Sequence, residues 1–134
     1  MLTYLLISAF SFLAKAQDAI GILDELSFDN SSEKELWEAG QENPYLLFRA
    51  VQAEKSLSDE KWNDLLAKLD MRFEKKGTHI NVLRQIFEKS HQNLFKVYEQ
   101  HSTFNDMLDE GKFDCVSASA ALALLLERYD FSYK

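Results

Sequence analysis

Only one cysteine, one proline and four glycines occur in the 134 residues of this chain. A single cysteine excludes an intrachain disulfide framework and a multi-cysteine zinc site. One proline and four scattered glycines exclude collagen-like, proline-rich and glycine/serine-linker chains. The glycines, Gly21, Gly40, Gly77 and Gly111, lie far apart, so there is neither a P-loop nor a GxGxxG turn to cradle phosphates. Basic residues are also few: 15 stand against 22 acidic ones, for a formal net charge of −7. Such a surface does not track a phosphate backbone, which argues against a nucleic-acid partner. No internal repeat of solenoid length is visible, and no low-complexity tract. What remains is 46% apolar and 13% aromatic, the composition of a folded chain with room for one domain at most.

The first sixteen residues, MLTYLLISAFSFLAKA, carry no charge from Leu2 to Ala14. That run has the length of a signal-peptide apolar region and is too short to span a bilayer. Ala14-Lys15-Ala16 fits the small-x-small cleavage pattern, which would leave Gln17 as the new N-terminus. The alternative is a buried N-terminal helix, since only the terminal amine supplies positive charge ahead of the run. The leader reading places the protein in the periplasm or outside the cell, with no stable membrane anchor after cleavage. A lone cysteine in an oxidising compartment is a small buried hydrophobe, an intermolecular link or a reactive thiol.

Nearly all the remaining periodicity is helical. Asn30 to Ser32 offers caps for a helix over Glu33 to Ala39, with Gly40 as its stop. Asn43-Pro44 opens a second helix, with Leu47, Phe48 and Val51 as its inward stripe. Ser58 caps a third, carrying Trp62, Leu65, Leu66, Leu69 and Phe73, and Gly77 terminates it. Thr78 caps a fourth of about five turns. Its expected inward stripe is Ile80, Leu83, Phe87, Ser90, Leu94 and Val97, with Ile86 and Tyr98 alongside. Gln100 to Asp114 reads as a packed linking stretch holding Phe104, Met107, Leu108 and Phe113. From Val116 to Leu126 only Ser117 and Ser119 are polar, so this last helix expects a core on most sides. An uncovered face of it would be a surface for self-association. Phe131-Ser132-Tyr133 alternates like the start of a strand.

Asp114 is a good N-cap type, which puts Cys115 at the first position of the last helix. The positive end of a helix favours a thiolate, the form of cysteine that acts as a nucleophile. The structural alternative is a small apolar side chain at a helix start.

The run Gly111-Lys112-Phe113-Asp114-Cys115-Val116-Ser117-Ala118-Ser119-Ala120 resembles the nucleophile segment of bacterial transglutaminase-like proteins, in the papain-like cysteine superfamily. The resemblance extends over about Ile80 to Lys134, including His101-Ser102-Thr103-Phe104-Asn105 and the helix before it. It implies that Cys115 attacks an acyl carbonyl of a protein or peptide substrate, without a cofactor. In that family a histidine and then Asp or Asn follow the cysteine in the chain. Here His79, His91 and His101 all precede Cys115, so only Cys115 matches a catalytic position. The resulting expectation is a mainly α chain: a leader over 1–16, a helical region over 17–77, and the N-terminal portion of a transglutaminase-like domain over 78–134. The last part would hold a helical lead-in and the central nucleophile helix of a papain-like α+β fold whose β-sheet is largely absent. Lacking its base, such a fragment would be inactive as it stands.

A second expectation is a small exported all-helical interaction module without catalytic activity. A third, a metal protein built on His79, His101 and Asp106, finds no HExxH-type spacing or i,i+4 histidine pair to support it. Thiol reactivity separates the first two expectations.

Overall fold

The computed structural model describes residues 27–53, 58–74 and 79–132. The expected leader, the Thr78 cap, the Gly77 stop and Tyr133 lie outside the described residues. Within them the chain is mainly helical. Its elements are α1 (Ser31–Gly40), α2 (Pro44–Ala50), α3 (Glu60–Glu74), α4 (His79–Asn93), β1 (Val97–Tyr98), α5 (Phe104–Glu110), β2 (Lys112–Phe113) and α6 (Cys115–Arg128).

Local chemistry sets most helix starts. Asn30 accepts from the Glu33 N–H at 3.0 Å, and Glu33 reaches back to the Asp29 N–H at 2.8 Å. The first bond satisfies an amide that the first helical turn leaves without a partner, and the second ties down the residue before the cap. Asn43 accepts from the Tyr45 N–H at 3.2 Å, with Pro44 at the first helical position, where no N–H is needed. Ser58 accepts from the Glu60 N–H at 3.3 Å. Gly40 ends the helix as expected and has a packing task besides. It is the last residue of α1 and is buried; a Cβ there would fall 2.6 Å from Leu47 Cδ2 and 2.8 Å from the Leu47 amide nitrogen. Glycine therefore lets α1 and α2 pack closely.

The expected stripe of α2 is only partly inward. Leu47 and Phe48 are half-buried, but Val51 lies past the helix end and is 54% exposed. Arg49 and Ala50 take the buried positions instead. On α3, Trp62, Leu65 and Leu69 enter the core as expected. Phe73 stays half-exposed, although its ring meets that of Tyr129 at 5.3 Å.

The largest difference concerns α4. Ser90 and Leu94 are buried as expected, but Ile80 is 71% exposed and Phe87 42%, whereas Val82 and Ile86 are buried. The inward row is thus rotated from the expected one. The helix also stops at Asn93, short of the expected five turns. Both Leu94 and Phe95 N–H groups donate to the Ser90 carbonyl, at 2.8 and 3.1 Å, and the two side chains turn into the core. Val97 and Tyr98 then form a strand, not a last helical turn.

The linking stretch contains a complete short crossover. Thr103 and Asp106 form a reciprocal capping box at the start of α5. Phe104, Met107 and Leu108 face inward at i, i+3 and i+4. Gly111 ends α5 at φ +76°, a conformation that suits glycine, and its N–H donates to the Met107 carbonyl at 3.1 Å. β1 and β2 pair in parallel, with Val97 opposite Lys112 and Tyr98 opposite Phe113. This small sheet precedes α6, whereas the sequence reading looked for strand structure after it. Phe131 and Ser132 are irregular.

A single core joins α3, α4, α5 and α6 through Leu65, Leu69, Ile86, Leu94, Met107, Leu108, Ala121 and Leu125. The inner face of α6 consists of Ser117, Ala120, Ala121 and Leu125. Leu122, Ala123, Leu124 and Leu126 are half-buried, and Val116 is 68% exposed. The helix is therefore covered on one side, with its flanks partly open, and is not enclosed all round. Arg128 and Tyr129 fasten its far end to α3: Arg128 Nη2 lies 2.8 Å and Tyr129 Oη 2.5 Å from the Asp70 carboxylate. The Arg128 hydrogen bond chiefly holds Asp70 below the usual carboxylate range, while burial and then Asp70 push the Tyr129 hydroxyl up to about 12.

Candidate functional site

β2 delivers Asp114 in extended conformation to the start of α6. Asp114 Oδ1 accepts from the Val116 N–H at 2.9 Å, the Ser117 N–H at 2.8 Å and the Ser117 hydroxyl at 3.1 Å. Ser117 Oγ in turn accepts from the Asp114 N–H at 2.9 Å. The Ser117 amide, more than any other group, holds the Asp114 carboxyl below its ordinary value of 3.8. Burial opposes this; the Ser117 hydroxyl, the Val116 amide and the nearby His101 add to it.

Cys115 follows as the first residue of α6, exposed and with a free thiol. Its carbonyl accepts from Ser119 Oγ at 2.6 Å. Among the described residues, no side chain hydrogen-bonds to its Sγ. The amides of Val116 and Ser117, the donors next to the thiol, are occupied by Asp114. His101 lies in the loop after β1, exposed and at φ +67°. It is near enough to act electrostatically on Asp114 but makes no hydrogen bond to Cys115. His91 is exposed on α4, its ring edge-on to Phe95 at 5.1 Å, and His79 opens α4. No group of three or more His, Cys, Asp or Glu among the described residues is placed to hold a metal ion.

Five of the seven positions of the Gly111–Ser117 run thus have a structural task. Gly111 supplies the left-handed turn, Lys112 and Phe113 the strand, and Asp114 with Ser117 the cap. Asp114, together with Asp70 at the far end of α6, carries a pH prediction. Asp114 and Asp70 both have lowered folded-state values, so their stabilisation is complete above the ordinary carboxylate value. It is lost as pH falls through the lower folded values. Asp114→Ala should cost about 0.5–2 kcal/mol at pH 7, the usual loss for a helix cap, and the gap to the parent should narrow in acid. Urea titrations at several pH values measure both effects; a gap independent of pH would contradict the capping role.

A second site lies at the other end of α6. A groove of about 430 Å³ runs between the start of α2, the outer face of α3 and the last turns of α6. Pro44, Leu66 and Leu124 give it apolar walls; Asn43, Asp59, Asn63, Glu127 and Arg128 are its polar groups. Tyr45 and Trp62 stack at 5.2 Å along one side. Tyr45 Oη donates to Asp59 Oδ1 at 2.5 Å, and burial, then this bond, pushes the tyrosine hydroxyl upward. Asp59 is backed by Arg49, whose Nε lies 3.2 Å from Oδ1. At 1.5 Å per residue, the nine positions from Cys115 to Leu124 separate thiol and groove by about 14 Å along α6.

Sequence reasoning missed this groove. It joins residues far apart in the chain, and none of its polar side chains belongs to a recognisable motif. No helix among the described residues is long and apolar enough to cross a membrane. Comparison of the chain with protein-family models, with curated proteins and with solved structures finds no match.

Proposed function

We propose that this chain acts as a small helical module that binds another polypeptide. The groove between α2, α3 and α6 carries this reading. Its volume of about 430 Å³ falls within the ~300–1,000 Å³ span of ligand sites, and apolar walls with a few polar groups are the usual lining of such sites. A cleft between helices suits an amphipathic segment that lays its apolar side chains inside. Amide-shift mapping with amphipathic peptides of about four turns tests it. The expected result is a set of shifts centred on Asn63, Leu66 and Leu124. Peptides that shift other surfaces only, or none, count against the groove.

The thiol supports a second reading, a nucleophile of an exported cysteine hydrolase or acyltransferase fragment, acting on protein or peptide. Its support is the exposed position of Cys115 at the first residue of α6. A general base would have to come from elsewhere, since no described histidine bonds to the thiol. Alkylation by iodoacetamide at pH 6 separates the readings. The binding-module reading expects Cys115 to react no faster than a free thiol. A much faster reaction, abolished in Cys115→Ala, favours the nucleophile.

A further inference from the structure

The groove has a charge pattern that selects among polypeptides. Two of its three charged groups are already satisfied by neighbours. Asp59 faces the buried Arg49 guanidinium at 3.2 Å and the Tyr45 hydroxyl at 2.5 Å. Arg128 is turned toward Asp70 at 2.8 Å. Glu127 differs: its exposed carboxylate has no ion-pair or hydrogen-bond partner among the described residues. The groove therefore presents one uncompensated negative charge beside its apolar wall. Leu124 and Glu127 are three residues apart on α6, hence on one face and about 5–6 Å apart at Cβ. The formal net charge of −7 acts in the same direction, drawing cations toward the whole surface.

We propose that the groove binds a basic amphipathic helix, with an apolar side chain against Leu66 and Leu124 and a Lys or Arg one turn away at Glu127. This inference rests on the polypeptide-binding reading and specifies its partner. One turn of helix separates i from i+3 and i+4, which matches the spacing of Leu124 and Glu127. An acidic helix of the same apolar pattern would place like charges together, which both weakens binding and slows encounter.

The test uses the full chain and two synthetic helical peptides with identical leucines, one carrying lysine and one glutamate at the flanking positions. The lysine peptide should bind about tenfold more tightly at low salt, with Glu127→Lys reversing the preference. Glu127 is exposed, so this change does not disturb the core. Binding is read by amide shifts at Leu66, Leu124 and Glu127, and the advantage should shrink as salt is added. Equal binding of both peptides at these positions overturns the charge inference and leaves the polypeptide-binding reading standing. Absence of shifts at these positions with either peptide overturns both.

Discussion

Arg49→Ala should lower the unfolding free energy by about 2–4 kcal/mol, the loss expected when buried acceptors lose their donor and a cavity is left. The side chain of Arg49 is 2% exposed and lies among groups that need it. Its Nη1 donates to Asn105 Oδ1 at 2.6 Å and its Nη2 to the Ser58 carbonyl at 3.1 Å. Asn105 completes the arrangement by donating to the carbonyls of Arg49 at 3.1 Å and Val51 at 2.9 Å. One arginine thus joins α2, the segment before α3, and α5. Removing it leaves an amide oxygen and a carbonyl without their donor, in addition to a cavity. The Asp59 contact contributes less, because that carboxylate is 51% exposed and water screens the pair.

Urea unfolding checks this, with a shift of midpoint at nearly constant slope. A loss below about 1 kcal/mol would mean that water replaces the guanidinium without penalty. Asn105→Ala should cost less in the Arg49→Ala background than in the parent, since the two side chains share one hydrogen bond.

Ile86→Ala should cost about 2–5 kcal/mol, while Ile80→Ala on the same helix should fall within about 0.5 kcal/mol of the parent. Ile86 is fully buried in the core, and Ile80 is 71% exposed. Truncating the first removes apolar area from the interior and leaves a cavity. Truncating the second removes a side chain that faces water in both the folded and unfolded chains. Thermal or urea unfolding of the pair measures the difference. Equal losses, or a larger loss at Ile80, would restore the inward stripe expected from the sequence.

That pair shows why α4 was only half legible. Both Ile80-Leu83-Phe87 and Val82-Ile86 lead to Ser90 at helical spacing, so periodicity gives the element without choosing its buried face. The choice belongs to α3 and α6, which pack on the second row. The serine within that row is itself buried, with no hydrogen-bond partner for its hydroxyl among the described residues. β1 was missed because two residues are too few for a strand pattern, and its pairing depends on Gly111 arriving beside Lys96 and Val97.

The candidate sites divide along the same line. Asp114 as cap and Cys115 at the first helical position were readable, because a capping bond spans only two or three residues. The groove was not readable, because Tyr45, Leu66 and Leu124 become neighbours only after α2, α3 and α6 have packed.

The sequence by itself determined the helical class, the starts of α1, α2 and α6, and the helical position of the lone cysteine. Asn30, Asn43 and Asp114 achieve this through bonds to amides within the next three residues, which no distant contact need supply. Tertiary structure alone decided which row of α4 is buried, that Arg49 lies inside, and that a groove opens beside Glu127. Those outcomes depend on which surfaces meet and exclude water, a property of the packed elements jointly and not of any short stretch of chain.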